Sequence, residues 1–352
     1  MPLMRGKSYT QTTVKSCQSK LFLAALLAVA VMVFSSCASQ QMAAKSDDAF
    51  LFTSFHDADQ KYLRFLYSFD GCHWTNVPGT FLAANVGTNK QFRDPSLARG
   101  PDGTFHLVWT AGWHGDQGFG CASSKDLIHW SEQQFVPVMT NEPSTVNVWA
   151  PEIFYDEGSW RSRRGDEAQM KQNKSEPPHL GCYIIVWAST IPGRFPDKLE
   201  KHDNNHRLYF TTTLDFVNFT PTKLLFDPGF SLIDAFILKD QQRYVLVCKD
   251  NSRTNLNLRV AFASSPLGPW ENVSEPLTQK FTEGPCALKI GDDWLIYFDA
   301  YRQKFYGAVR TRDFKTFTDA TKDVSFPPDH KHGTAIRVPR AILDGLLTAD
   351  KK

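Results

Sequence analysis

Three acidic residues lie in sequence surroundings where acids are uncommon. Asp94 is followed by Pro95, Asp234 lies inside an apolar run, and Glu283 is followed by Gly284. An acid in apolar surroundings is either paired with a charge or has a shifted pKa. A pair of carboxyls on opposite sides of a glycosidic bond can hydrolyse it, one donating a proton and the other activating water. The three acids are therefore candidate catalytic residues for glycoside hydrolysis.

These acids lie 140 and 49 residues apart along the chain, so the fold must bring them together. Short apolar strands alternate with Gly- and Asp-rich turns, and helical periodicity is nearly absent. One unit recurs, a Ser/Thr-x-Asp turn followed by an aromatic residue, with a degenerate fourth copy. Its five copies lie at 68–74, 124–130, 213–219, 265–270 and 311–317. A four-stranded unit repeated at about 45–50 residues predicts an all-β fold, a single-domain five-bladed β-propeller over residues 49–345; a β-sandwich is the alternative.

The N-terminal region has the features of an export signal. Residues 21–34 are fourteen apolar residues behind Lys15 and Lys20, which is too short for a comfortable membrane span. Small residues then precede Cys37, an arrangement that resembles a bacterial lipobox. We expect residues 1–36 to be a lipoprotein signal peptide, Cys37 to be lipidated, and residues 37–48 to be a tether to the outer membrane or cell surface. An ordinary signal peptide with a chance cysteine is the alternative.

The charge balance argues against a nucleic-acid-binding protein. The whole chain has a formal net charge of +2, but without residues 1–36 it has 35 basic and 37 acidic residues, a net of −2. A nucleic-acid-binding domain should carry a basic excess. The five cysteines after Cys37 lack the spacing of a zinc site, and most lie in apolar runs, as small buried hydrophobic residues do.

Two polar segments enlarge the third repeat. Residues 157–180 and 191–206 contain no apolar strand pattern. Loops of this length in a compact domain are usually functional or disordered. We expect them to lie on one face of the propeller beside Trp149 and Glu152, where they would turn an axial cleft into a pocket.

The order of several short motifs resembles glycoside hydrolase family 43. The motifs are Asp94-Pro95-Ser96, Trp149-Ala150-Pro151-Glu152, Leu232-Ile233-Asp234, Glu283-Gly284-Pro285 and His332-Gly333-Thr334. The resemblance covers residues 50–340. It implies a general base at Asp94, a general acid at Glu283, and Asp234 as the residue that orients the acid and tunes its pKa. It also implies inversion of the anomeric centre.

The resemblance and the positions of the aromatic residues suggest further contacts. We expect the substrate-binding residues to be Trp113, Trp149, Glu152, Phe236 and Arg302. Family members more often have Asp at the position of Glu152, which either binds substrate or braces its blade. His332 matches a family histidine near a bound calcium or sodium ion, and a purely structural histidine is the alternative. No cofactor is required for the expected chemistry.

The expected function is exo-acting hydrolysis of oligo- or polysaccharides. We expect release of terminal sugars from plant-type side chains, by an α-L-arabinofuranosidase or a β-D-xylosidase-like enzyme. Three alternatives stay open: a galactan- or galactofuranoside-active hydrolase of the same family, a non-catalytic glycan-binding lipoprotein, and a retaining β-fructosidase-like enzyme. The last shares an Arg-Asp-Pro segment, here at Arg93, but its N-terminal nucleophile motif has no match between residues 47 and 92.

Overall fold

The computed structural model describes residues 47–158, 181–195 and 204–349. Cys37 and the rest of the leader lie outside the described residues, as does most of the two polar segments. The described residues form twenty strands: β1 (Asp48–His56), β2 (Asp59–Ser68), β3 (Thr75–Ala83), β4 (Arg93–Arg99), β5 (Phe105–Thr110), β6 (Gly118–Ser124), β7 (Gln134–Pro137), β8 (Trp149–Asp156), β9 (Cys182–Ser189), β10 (Arg207–Thr213), β11 (Lys223–Phe226), β12 (Leu232–Asp240), β13 (Arg243–Asp250), β14 (Asn257–Ala263), β15 (Glu283–Ile290), β16 (Asp293–Ala300), β17 (Phe305–Thr311), β18 (Thr318–Asp319), β19 (His330–Lys331) and β20 (Ala335–Pro339). A C-terminal helix, α1 (Arg340–Thr348), follows.

The strands form five antiparallel sheets, which are the five blades. Blade 1 joins β1, β2 and β3 with the C-terminal strands β19 and β20, so the two ends of the domain close the ring. Blades 2 and 3 contain β4–β7 and β8–β11, blade 4 contains β12–β14, and blade 5 contains β15–β18. In blade 4 an irregular segment from Glu271 to Leu277 bonds to β14 in place of a fourth strand.

Contacts between the inner strands run round the ring. They join β1 to β4, β4 to β8, β8 to β12, β12 to β15, and β15 to β20. The apolar core lies between neighbouring blades and includes Phe52, Trp187 and Tyr297, all fully buried. The predicted five-bladed β-propeller is confirmed. Within the described residues, no helix has the length and apolar character needed to cross a membrane.

The recurring turn has the same structure in each blade that contains it. In blade 1 the Ser68 hydroxyl accepts hydrogen bonds from the backbone N–H groups of Asp70 and Gly71. The residue three after the hydroxyl always has a positive φ: Gly71, Leu127, Phe216, Gly268 and Phe314. The turn ends the third strand of each blade. In blades 1, 2, 3 and 5, which have the Asp, its hydroxyl and carboxylate satisfy backbone donors that the sheet leaves unpaired.

A second repeated feature lies at the start of the inner strands. In blades 2 to 5 the pairing with the next strand slips by one residue, which is a β-bulge. The bulge residue has a positive φ in all four: Asp94, Ala150, Asp234 and Gly284. Because a bulge bends a strand and re-aims a side chain, it is a recurrent device next to active sites. Asp94 and Asp234 therefore occupy equivalent positions, and Glu283 lies one residue earlier in its own blade.

Candidate active site

Asp94 lies at the bulge of blade 2 and is held as an anion. The Thr110 hydroxyl donates a hydrogen bond to Asp94 Oδ2 over 2.8 Å, and His332 Nε2 lies 3.1 Å from Oδ1. Burial favours the neutral acid, but His332 and the nearby Arg93 outweigh it and lower the pKa of Asp94 to about 2. An ionised carboxylate can accept a proton, as a general base must.

Asp234 lies at the equivalent bulge of blade 4. Its Oδ2 atom accepts a hydrogen bond from the backbone N–H of Gly284 over 3.0 Å. Burial raises the pKa of Asp234 to about 6, and the charge of Glu283 adds to the rise. Asp234 is therefore mostly ionised at pH 7 and takes up a proton just below it. It lines one small axial cavity of about 20 Å³ together with Asp94 and His332.

Glu283 is the first residue of β15, and its side chain is 19% exposed. Its Oε2 atom lies 2.7 Å from the Nζ atom of Lys249, which is on blade 4. Across the hairpin, Glu283 pairs with Asp299 of β16. A carboxyl oxygen of Glu283 lies within 4.8 Å of a ring nitrogen of His332, which lines the axial cavity. The carboxyl is thus partly exposed and close to the cavity, as a proton donor to substrate must be.

His332 lies between two carboxylates. Its Nε2 atom is 3.1 Å from Asp94 Oδ1 and its Nδ1 atom is 3.6 Å from Asp299 Oδ2. Burial opposes the charged ring, but the two carboxylates raise the pKa of His332 well above its ordinary value. Its ring packs so closely on Gly284 (φ +57°) that a Cβ on that residue would lie 2.1 Å from it. Only glycine fits there, which explains the glycine after Glu283.

The comparisons with known proteins agree with this geometry. A glycosyl hydrolase 43-related family model, described as a probable glycosyl hydrolase domain, matches residues 47–344. The chain belongs to this family. No curated protein matches the sequence at a significant level. The protein is thus a glycosidase, and Asp94, Asp234 and Glu283 are its candidate catalytic residues.

Solved structures share the fold of the glycosidase. A family 43, subfamily 12 glycoside hydrolase retrieved from a capybara gut metagenome is 15% identical, with a TM-score of 0.52, over 82% of this chain and 53% of that chain. An exo-β-1,3-galactanase from Phanerochaete chrysosporium, solved with β-1,3-galactotriose, is 15% identical, with a TM-score of 0.50, over 72% of this chain and 54% of that chain. The glycosidase therefore spans about half the length of these two relatives, and the likeness is one of fold.

The histidine of the glycosidase does not fit the metal ion that the resemblance implies. Glu283, Asp299 and His332 each offer a ligand atom, and these atoms lie within 4.8 Å of one another. A histidine binds metal only through a neutral ring nitrogen, whereas His332 faces a carboxylate on each side and holds its proton. The Lys249 and Lys331 ammonium groups already lie 2.7 Å from Glu283 and 3.0 Å from Asp299. The donors are therefore paired with protein cations.

Glu152 of the glycosidase lines the axial cavity. The Thr334 hydroxyl lies 3.1 Å from Glu152 Oε2, so blades 1 and 3 are joined at the axis. Burial raises the pKa of Glu152 to about 8, even though Ser96 and Thr334 act in the opposite direction. Glu152 is thus a neutral acid at pH 7. The sequence leaves two roles open for Glu152, substrate binding and bracing of its blade, and a contact between two blades suits the second role.

Aromatic residues form a wall beside the site. Trp149 stacks on His206 with ring centroids 4.9 Å apart, and its other neighbour is Trp113 at 4.7 Å. The Trp149 Nε1–H group donates to the Trp113 carbonyl over 2.6 Å. The guanidinium of Arg93, next to Asp94, lies 4.8 Å over the Trp113 ring. Trp113 is 45% exposed, so its ring is available to stack on a sugar.

The other two predicted binding residues lie elsewhere. Phe236 is 8% exposed and packs in the core with Val245 and Val247, so it does not face an open cleft. It comes two residues after the bulge, where the strand has turned this side chain into the core. Arg302 is exposed and stacks on Phe281, with 4.4 Å between the guanidinium and the ring centroid. Phe281 lies two residues before Glu283 in the chain, and Arg302 is not among the residues that line the axial cavity.

Sequence reasoning missed three residues that contact the acids: Thr110, Lys249 and Asp299. All three lie on second strands, each paired with the residue just before a bulge. A signal for two of them was present, because a lysine ends the apolar run YVLVC and an aspartate ends the run WLIYF. A charge that ends an apolar strand beside the axis is expected to have a charged partner.

Proposed function

We propose that the glycosidase is an inverting, exo-acting enzyme that removes terminal sugars from plant-type polysaccharide side chains, α-L-arabinofuranosides ahead of β-D-xylosides. The observation that carries the proposal is the placement of the anion Asp94 and the partly exposed Glu283 on different blades around one axis. In this reaction Glu283 gives its proton to the glycosidic oxygen as the bond to the anomeric carbon breaks. Asp94 takes a proton from the water that attacks that carbon from the opposite face.

Exo action is supported by the aromatic wall beside the site, which is formed by the rings of Trp113, Trp149 and His206. Beside it, the described start of the second polar segment is fixed to the body of the propeller. Arg194 makes a bidentate ion pair with Glu142, with distances of 2.6 and 2.8 Å. Phe195 packs 4.6 Å below the guanidinium of Arg207. A site closed on one side accepts a chain end more readily than the middle of a chain.

The substrate preference is tested with a panel. Aryl glycosides of α-L-arabinofuranose, β-D-xylose and β-D-galactose are assayed beside arabinan, xylan and arabinogalactan, with Asp94→Asn as the inactive control. We expect monosaccharide release and the highest rate on the arabinofuranoside. Mixed-length oligosaccharides would contradict exo action, and activity confined to galactosides would contradict the pentose preference. Glycan binding with equal, negligible turnover by both proteins would favour a non-catalytic binding protein.

We further propose that the mature glycosidase is a lipoprotein anchored through Cys37 at the outer membrane or cell surface. The support is the apolar run of residues 21–34 followed by small residues and cysteine. Two or more acyl chains give stable anchoring where one does not. Membrane fractions of cells that express the wild type and Cys37→Ala decide the matter. We expect the variant to be soluble, and unchanged membrane association would exclude the anchor.

A further inference from the structure

Lys249 is a buried lysine that contacts a catalytic acid. It lies on β13, its side chain is 5% exposed, and its Nζ atom is 2.7 Å from Glu283 Oε2. The lysine belongs to blade 4 and the glutamate to blade 5, so the ion pair crosses a blade boundary. Its Cα partner across the hairpin is Ile233, the residue before Asp234. The same strand pairing therefore fixes both Lys249 and Asp234 beside Glu283.

The surroundings of Lys249 keep it charged. Its Nζ atom lies 4.8 Å over the ring of Tyr301, which is a cation–π distance. Burial disfavours the ammonium form, but the charges of Glu283 and Asp234 outweigh burial and raise the pKa of Lys249. Lys249 is thus a fixed positive charge at the carboxyl that must give up a proton.

Lys249 is one of several charged groups at the axis. Among the described residues there, the carboxyls include Asp94, Glu152, Asp234, Glu283 and Asp299, and the cations include Arg93, His332, Lys249 and Lys331. Asp94 faces His332, and Asp299 faces both Lys331 and His332. The cation that lies against Glu283 is Lys249.

We propose that Lys249 is a positioning residue of the glycosidase, which holds the Glu283 carboxyl in place and stabilises the carboxylate that remains after Glu283 has given up its proton. This inference rests on the proposed function, in which Glu283 is the general acid. When Glu283 gives its proton to the glycosidic oxygen, a carboxylate remains that faces the Lys249 ammonium. A positive charge at this distance favours the ionised form, so Lys249 stabilises the carboxylate that the proton transfer leaves behind.

Other charged and titratable groups act on Glu283 from the surrounding elements, and they are the same in the variants compared below. They are Asp234 on β12, Asp299 on β16, Tyr301 after β16, Tyr306 on β17, Lys331 on β19 and His332 after it. A change confined to Lys249 therefore reports the effect of its own charge.

The first test compares pH profiles of kcat/KM on a 4-nitrophenyl glycoside that the wild type cleaves. Lys249→Met removes the charge but keeps an unbranched side chain, and Lys249→Arg keeps the charge. The matched control is Lys289→Met, an exposed lysine on β15 whose Nζ lies 5.7 Å from the Trp294 ring. We expect the alkaline limb to move up by about one pH unit or more in Lys249→Met only. An unmoved limb, or equal shifts in the Met and Arg variants, would overturn the inference.

Substrates with different leaving groups distinguish a loss of acid catalysis from a general loss of activity. A 2,4-dinitrophenolate leaves without protonation, so its glycoside needs no general acid. We expect Lys249→Met to lose about tenfold or more in kcat on an alkyl glycoside, while its rate on the dinitrophenyl glycoside stays within about threefold. Equal losses on both would show a structural role and overturn the inference.

A measurement without turnover keeps this inference separate from the proposed function. Carbon-13 NMR of the glutamate side-chain carboxyls follows the titration of Glu283 in the wild type and in both Lys249 variants, with Glu283→Gln to assign the signal. We expect the midpoint to move to higher pH in Lys249→Met and to stay in Lys249→Arg. If it does not move, the inference fails even if the enzyme is active. If the wild type cleaves no glycoside, the proposed function fails and this titration still decides the role of Lys249.

Discussion

The Nε2 atom of His332 lies 3.1 Å from the Oδ1 atom of Asp94. The contact joins the C-terminal segment of blade 1 to the bulge of blade 2, and it places a protonated imidazole against the candidate base. The charge of the ring is one reason why the pKa of Asp94 is lowered to about 2, although burial opposes it. Asp94 thus depends on a neighbour for its ionised state.

Replacement of His332 by Gln is expected to weaken the base at low pH. Burial of Asp94 persists in this variant while a compensating cation is lost, so the pKa of Asp94 rises. His332 also lowers the pKa of Asp234, so the comparison is made with Asp234→Asn in both proteins, which removes that titration. The rate on an aryl glycoside should then fall more at pH 5 than at pH 7, and the acidic limb should move to higher pH. A uniform loss at both pH values would show that the charge of His332 does not act on Asp94.

Glu152→Gln is expected to change stability more than activity. The pKa of Glu152 is raised to about 8, so from pH 4.5 to pH 8 the folded protein keeps a proton that the unfolded chain releases. Wild-type stability should therefore fall relative to the glutamine variant as pH rises, by about 1.4 kcal/mol per pH unit. Urea denaturation of both proteins at pH 5 and pH 8 measures this. An equal difference at both pH values would mean that Glu152 is ionised in the fold.

Asp94→Asn and Glu283→Gln should each reduce kcat on an alkyl glycoside by about 10²–10⁴. The two losses should differ in their dependence on the leaving group, because only the acid is dispensable for a dinitrophenolate. The Glu283→Gln variant should recover its rate on the dinitrophenyl glycoside, and the Asp94→Asn variant should not. The reverse pattern would exchange the two roles.

Asp234→Asn should remove a pH dependence. The pKa of Asp234 is raised to about 6, chiefly by burial, so the wild-type rate should fall as Asp234 takes up a proton near that pH. Asparagine is neutral at every pH, so the variant should have a low rate without a limb near pH 6. A limb that persists near pH 6 in the variant would assign it to another group.

The propeller could be predicted from the sequence, and the three candidate acids could be selected in it, because both depend on local patterns. The Ser/Thr-x-Asp turn is complete within a few residues, and Asp94, Asp234 and Glu283 stand beside Pro or Gly or inside apolar runs. Each pattern follows from the chemistry of the turn or bulge in which it lies.

Side-chain contacts between different strands could not be predicted from the sequence. Lys249 meets Glu283 only because β13 and β15 belong to neighbouring blades. Whether Phe236 faces the axis or the core depends on a one-residue slip at Asp234, which reverses the alternation of the strand. The proton on His332 depends on two carboxylates that come from blades 2 and 5.

The central claim, that Asp94 activates water while Glu283 protonates the leaving group, is tested most directly by the anomer that is released first. Proton NMR of the sugar during the first moments of hydrolysis separates the two anomers before they interconvert. From an α-L-arabinofuranoside, or from whichever glycoside the enzyme cleaves, we predict that the first product has the opposite anomeric configuration to the substrate. A first product with the same configuration would require a covalent glycosyl-enzyme intermediate, and it would contradict this assignment of Asp94 and Glu283.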